Sequence, residues 1–316
     1  MRRRRRVDDL PPVDMAVAVG SVALPNPVMT ASGTGGHGAE LDAYQPLGSL
    51  GAVVVKSLAA DPWPGNPAPR VHSTPAGMLN SVGLQGDGVA AWLADDLPTL
   101  VATGARVVAS IWGRSVDDYA RAAAALAAAP AAVVAVEVNL SCPNTEAGRD
   151  LFAHDPEATA EVIAATAACG RPRWAKLSPN TPLVADVAGA AAGAGAEAVT
   201  LVNTLMGMAI DPETRTYRLG AGERGGGLSG PAIHPVAVRV VHDVHRAHPD
   251  LPIVGVGGVV DGSTAVELLL AGASAVQVGT ATFADPRAPR RVRDDLEHWC
   301  RERGVPTVAE LTGGLR

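Results

Sequence analysis

Behind a run of apolar residues, "VAVEVNLSCPNTEAG" packs four polar side chains into six positions: Asn139, Ser141, Cys142 and Asn144, with Pro143 stiffening the turn. A free thiol has a pKa of ~8.5, so little of it is thiolate at neutral pH, and a cation or partial desolvation must tune it. No histidine stands in the motif to partner Cys142. That disfavours an acyl-transfer nucleophile and favours a proton-abstracting base. Asn139 and Asn144 flank the thiol, and such amides can hold a planar polar ligand by donor and acceptor contacts. The competing role, a small buried hydrophobe, suits Cys169 and Cys300 near the ends of helical stretches.

Two lysines sit at the ends of other apolar runs, Lys56 in "GAVVVKS" and Lys176 in "PRWAKLS". Glycines sit at two more: Gly257 and Gly258 in "PIVGVGG", and Gly279 before Thr280 in "ASAVQVGT". Backbone N–H groups there can approach an anion just before a helix begins, which suits phosphate; tight turns with no ligand are the alternative. Gly220-Ala-Gly222-Glu-Arg-Gly225 spells the dinucleotide pattern, but the "TYRL" before it is no buried strand and Pro231 soon follows. It reads as loop.

These residues need elements to bring them together. Eight runs, "PVMTAS", "GAVVVKS", "ARVVASIWG", "AVVAVEVNL", "PRWAKLS", "AEAVTLVN", "PIVGVGG" and "ASAVQVGT", are continuously apolar, as strands buried on both faces are. Between them lie helical stretches such as "SVDDYARAAAALAAA", "DPEATAEVIAATAA" and "DGSTAVELLLAGA", opened by Ser or Asp as N-caps. Strands alternating with helices predict an α/β fold, a (β/α)8 TIM barrel with long active-site loops; a doubly wound open sheet is second. The tips of the eight strands then carry Ser32, Lys56, Ser110, Asn139, Lys176, Asn203, Gly257 with Gly258, and Gly279 with Thr280. "VDMAVAVGSVALPNP" reads as an N-terminal β-hairpin that closes the barrel floor. Residues 58–88 and 205–227 are too long for ordinary βα loops.

Across 316 residues the net charge is −6, which implies no general affinity for nucleic acid. "MRRRRR" is followed at once by Val7, Asp8 and Asp9, so it is neither a secretory signal nor an anchor. Residues 1–12 are expected to be a disordered basic tail and 13–316 a single barrel domain. No window approaches the ~18 apolar residues needed to cross a bilayer, so a cytoplasmic protein with no membrane partner is expected. Three distant cysteines make no disulfide framework, no metal site is read, and an iron–sulfur cluster would need about four thiolates.

"NLSCPN", "MLNSVGLQ", "KLSPN", "VNTLMGM", "GGLSGPAIHPVA" and "GVGG" with "VGTATF" occur in the order, and over nearly the whole length, in which class 1 dihydroorotate dehydrogenases carry them. The chain resembles that family, and its NAD-linked 1B branch more than the fumarate-linked 1A branch. The resemblance implies FMN in the barrel mouth and oxidation of dihydroorotate to orotate, with Cys142 taking the C5 proton as hydride leaves C6 for flavin N5. It assigns substrate binding to Lys56, Asn80, Ser81, Val82, Gly83, Leu84, Asn139, Asn203 and Thr204. It assigns FMN to Ser32, Lys56, Ser57, Asn139, Lys176, Val202, Gly230, Gly257, Gly258, Gly279 and Thr280. It also implies a separate electron-transfer subunit with FAD and [2Fe–2S], and a homodimer or heterotetramer. Residues 146–154, after the thiol, are expected to close over the substrate. Ser110 and Trp112 stand where the family usually has Asn followed by small residues, which leaves one flavin contact open. A related flavin-dependent pyrimidine reductase, a non-redox phosphate-binding barrel and an idle binding subunit are the competing functions.

Overall fold

The computed structural model describes residues 12–141 and 152–316. Cys142, the segment that follows it to residue 151, and the arginine run lie outside the described residues. The chain opens with an antiparallel hairpin, β1 (Val17–Val19) and β2 (Val22–Leu24), followed by β3 (Val28–Thr30) and β4 (Val53–Val54). Next come β5 (Val71–Thr74), β6 (Gly77–Asn80), α1 (Gly88–Asp95), α2 (Leu97–Ala102), β7 (Val107–Ile111), α3 (Val116–Ala125) and β8 (Val133–Asn139). Beyond the undescribed segment follow α4 (Pro156–Ala165), β9 (Arg173–Lys176), α5 (Val184–Gly193) and β10 (Ala198–Leu201). Then come four short strands, β11 (Leu205–Gly207), β12 (Ile210–Asp211), β13 (Thr216–Tyr217) and β14 (Gly226–Ser229). The chain finishes with α6 (His234–Ala247), β15 (Ile253–Val256), α7 (Gly262–Ala271), β16 (Ala275–Val278), α8 (Ala281–Ala284) and α9 (Ala288–Arg303).

Each of the eight predicted barrel strands is present, in a parallel sheet ordered β3-β16-β15-β10-β9-β8-β7-β4. The sheet closes on itself where Met29 bridges Ala52 and Gly51 N donates to Val28 O at 2.8 Å. Thr30 Oγ1 reinforces the seam, accepting from Val54 N at 2.9 Å. Predicted caps hold the helices: Ser115 Oγ accepts from Asp118 N at α3, Asp155 from Glu157 N at α4, and Asp261 forms a capping box with Thr264 at α7. Each satisfies amide donors that a helix start leaves unpaired.

Inside the barrel the side chains stack in layers, because alternate residues of a strand point inward. The bottom layer is apolar and takes one residue from every strand: Met29, Val54, Val108, Ala135, Trp174, Ala198, Val254 and Ala275. Val19, Val22 and Leu24 of the hairpin pack against this layer and cover the floor. Two residues further along, six of the eight strands turn polar, with Lys56, Ser110, Glu137, Lys176, Thr200 and Gln277, while β3 and β15 carry Ala31 and Val256. The main core lies outside the barrel wall, where α-helices bury Leu, Val and Ala against the other strand face.

The two long segments are not simple loops. β5 and β6 from the first pair with β14 and β11 from the second in an antiparallel sheet ordered β11-β14-β6-β5. Met78, Leu79 and Asn80 stand opposite Ser229, Leu228 and Gly227. Glycine makes the approach possible: a Cβ at Gly226 would stand 2.5 Å from Asn80 O, and one at Gly227 2.0 Å from Thr204 Oγ1. The expected decoy, Gly220 to Gly225, contains a single 3-10 turn, Gly222–Arg224, and leads into β14 and not into an α-helix.

Candidate active site

At the C-terminal ends of the barrel strands, amides and hydroxyls form one connected set. Asn139 closes β8 with its carbonyl accepting from Tyr119 Oη at 2.6 Å. Its side chain accepts from Asn203 Nδ2 at 3.1 Å and donates to Ser57 Oγ at 3.4 Å. Ser57 Oγ in turn meets Ser32 Oγ at 3.1 Å and Ser110 Oγ at 2.9 Å. Ser110 is therefore not at the mouth: it is fully buried inside β7, behind Ser57. Ser141 N donates to Asn139 Oδ1 at 3.2 Å, fixing the backbone as it leaves the strand.

Asn203 and Thr204 are oriented from behind by Asn180 of the "KLSPN" stretch. Asn180 Nδ2 donates to Thr204 O at 3.0 Å, and its Oδ1 accepts from Met206 N at 2.9 Å. Asn80 reaches the same space from β6 and donates to Gly227 O at 3.3 Å.

Val82, Gly83 and Leu84 form an irregular segment after β6 in which Gly83 and Leu84 have φ of +70° and +63°. A left-handed leucine is uncommon and needs outside support. Residues 63–66 provide it: Trp63 Nε1 donates to Gly83 O at 3.0 Å, and Asn66 N donates to Val82 O at 3.0 Å. The Trp63 ring meets Trp112 edge-on at 6.0 Å and carries the Arg114 guanidinium 4.4 Å from its centroid. Ser81 stands off the cavity, its Oγ accepting from Asn66 Nδ2 at 2.9 Å.

Glycine shapes the opposite end. Gly230, Gly257 and Gly258 have φ of +92°, +137° and +69°, a region that favours residues without a Cβ. Added Cβ atoms at Gly257 and Gly258 would stand 2.7 Å from Ala237 and 2.6 Å from His234. His234 Nδ1 donates to Gly257 O at 2.7 Å and ties the turn to the start of α6. Thr280 Oγ1 donates to Ser229 Oγ at 2.8 Å across the gap between β16 and the overlying sheet.

These groups surround or support one cavity of about 290 Å³. Of the residues singled out from sequence, it is lined by Ser32, Lys56, Ser57, Asn80, Val82, Gly83, Leu84, Asn139, Lys176, Val202, Asn203, Thr204, Gly230, Gly257, Gly258, Gly279 and Thr280. Cys142 lies outside the described residues. Sequence reasoning missed Ser229 and the layer beneath the cavity, where Glu137 Oε1 faces Lys176 Nζ at 3.4 Å. Glu137 had a signal, a charge in the middle of an otherwise apolar strand. Ser229, in a short glycine-rich strand, had none. A cavity with a glycine cradle at one end, amides at the other and two lysines on its wall can take a phosphorylated, planar, hydrogen-bonding cofactor beside a small polar substrate.

Comparison with known proteins gives one family. The family model described as dihydroorotate dehydrogenase matches residues 14–300. A Trichlorobacter lovleyi protein named dihydroorotate dehydrogenase B (NAD(+)), catalytic subunit, is 46% identical over 95% of this chain and 98% of its own length. A Desulforudis audaxviator protein of the same name is 48% identical over 95% of this chain and 97% of its own. A Solibacter usitatus protein, provisionally named dihydroorotate dehydrogenase A (fumarate), is 45% identical over 96% and 98%.

Proposed function

The chain belongs to the dihydroorotate dehydrogenase family, and from that premise we propose a division of labour among its residues. The activity is oxidation of dihydroorotate to orotate in pyrimidine biosynthesis, with FMN as cofactor. The cavity suits FMN on its own terms: Gly257 and Gly258 leave no room for a Cβ, and the wall offers two cations. Gly230, Gly257, Gly258, Gly279 and Thr280 hold the phosphate, while Ser32, Ser57, Asn139, Lys176 and Val202 hold the ring system. When bound, FMN supplies the acceptor for the hydride that leaves substrate C6.

Cys142 Sγ takes the C5 proton, so that the C5–H and C6–H bonds break and a C5=C6 double bond forms. Asn80, Asn139, Asn203 and Thr204 fix the plane of the pyrimidine ring, and Val82, Gly83 and Leu84 border it, with Ser81 held behind them by Asn66. Lys56 provides positive potential for the substrate carboxylate and helps keep the thiol ionisable. The observation that carries this reading is the 3.1 Å contact of Asn203 with Asn139, which joins two strand tips three residues before the thiol.

Cys142→Ala tests it. The variant should retain FMN while anaerobic flavin reduction by dihydroorotate slows by about 10²–10⁴, the usual worth of a placed general base. Reduction at the unaltered rate would remove Cys142 from the role.

Electrons then pass to a separate subunit with FAD and [2Fe–2S], assembled with a dimer of this chain as a heterotetramer. Two of the relatives above are named catalytic subunits of the NAD-linked enzyme, and three cysteines are too few for a cluster of the chain's own. Overall identity does not separate the acceptors, because the relative named for fumarate is 45% identical. The reading places the enzyme in the cytoplasm; among the described residues no helix is long and apolar enough to cross a membrane.

A further inference from the structure

Three buried polar side chains have no part in the chemistry above: Glu137 on β8, Thr200 on β10 and Gln277 on β16, each at 0% exposure. Glu137 Oε2 accepts from Gln277 Nε2 at 2.7 Å and from Thr200 Oγ1 at 3.1 Å. Its other oxygen faces Lys176 Nζ at 3.4 Å, and Gln277 Oε1 lies 3.4 Å from the same nitrogen. Lys176 lines the cavity; the other three do not.

Packing alone does not ask for this arrangement. Two residues earlier on the same four strands stand Ala135, Trp174, Ala198 and Ala275, which fill the barrel without a charge or a side-chain hydrogen bond, Trp174 Nε1 being buried with no partner. A buried ion pair is generally no better for stability than apolar side chains of similar volume. Yet the carboxylate is fully engaged, with Thr200 and Gln277 holding one oxygen and leaving the other for Lys176. A neutral Gln at position 137 could still accept from Thr200 and meet Gln277. Only the contact to Lys176 requires the charge.

We propose that Glu137 is a positioning residue, which holds Lys176 against the cavity floor and offsets part of the positive charge that Lys176 presents to bound FMN. The proposal rests on the reading of the cavity as the FMN site. Lys176 and Lys56 are the cations lining the cavity among the described residues, and no carboxylate lines it. Glu137 is therefore the negative charge placed to moderate Lys176 from beneath. Electrons enter the cofactor from one substrate and must leave for an acceptor. A fully exposed lysine charge would favour the reduced, negatively charged flavin and hinder the second step.

The test is the reduction potential of FMN in the loaded full-length protein, titrated against reference dyes. Glu137→Gln should raise the equilibrium constant for reduction by at least about tenfold, ~30 mV for a two-electron couple. Glu137→Asp, which keeps the charge, should restore most of the wild-type value. Lys176→Met should lower the constant, and adding Glu137→Gln to it should then change little, since residues acting as one unit are non-additive. A flavin-bound Glu137→Gln protein with an unchanged potential would overturn the proposal. If that variant does not hold FMN, Lys176→Met alone against the double variant decides. Equal potentials support action through Lys176, and a tenfold difference refutes it. Wild-type protein that takes up no FMN would instead overturn the reading of the site, before any variant is compared.

Discussion

Of the three thiols, Cys169 and Cys300 lie among the described residues. Burial pushes the Cys300 thiol up to about 11 and raises that of Cys169 against the pull of Arg171 and Arg173 nearby. Both sulfurs are packed in the core, so neither offers appreciable thiolate at neutral pH. Iodoacetamide at pH 7.5 should therefore modify native protein at Cys142 and inactivate it, with orotate protecting. Peptide mass mapping checks this, and rapid labelling of Cys169 or Cys300 in the native protein would contradict it. The burial of Cys169 and Cys300 was legible in the sequence, because both stand near the ends of helical stretches. The support behind the site was less legible. Asn180 and Tyr119 act through contacts to Thr204 and Asn139, and no spacing along the chain announces partners 20 or more residues away.

Among the elements, the barrel strands were readable because burial on both faces leaves long apolar runs, whereas the sheet over the mouth was not. β6 and β14 are four residues each and rich in glycine, and their partners lie about 150 residues apart. Such strands show no alternation, since contact with a neighbouring backbone, and not burial of a side chain, selects their residues. The same sheet leads into the segment Val82, Gly83 and Leu84, which Trp63 secures with one hydrogen bond and its contacts to Trp112 and Arg114. Trp63→Ala removes interactions worth about 2 kcal/mol together. KM for dihydroorotate should rise about 10–30-fold, with FMN affinity within about threefold of wild type, because the glycine cradle is at the other end of the cavity. Steady-state kinetics beside flavin titration checks the split, and equal losses in both would show that Trp63 supports the whole mouth.

For the whole molecule, the floor covered by β1 and β2 and the sheet over the mouth leave the cavity bounded by this chain below and partly above. The proposed electron-transfer subunit then has to meet a preformed catalytic barrel. Purified alone, the protein should be yellow and reducible by dihydroorotate yet reduce NAD at most ~1% as fast as with its partner, an expectation from the absence of a dinucleotide fingerprint. Coupled assays with and without the co-expressed subunit measure this, and full NAD turnover by the single chain would refute the division. The barrel seam has a further consequence. β3 meets residues 51–54 along one edge and β16 along the other, so the second edge of the earliest barrel strand stays unmatched until residue 278 has been made, and Thr280, which touches Ser229, comes later still. At ~5–20 residues per second of synthesis, a ribosome spends many seconds on a polypeptide whose ring is open. Pigmentation of the nascent protein should then arrive all at once after residue 280 has emerged, making colour a sign that the ring has shut.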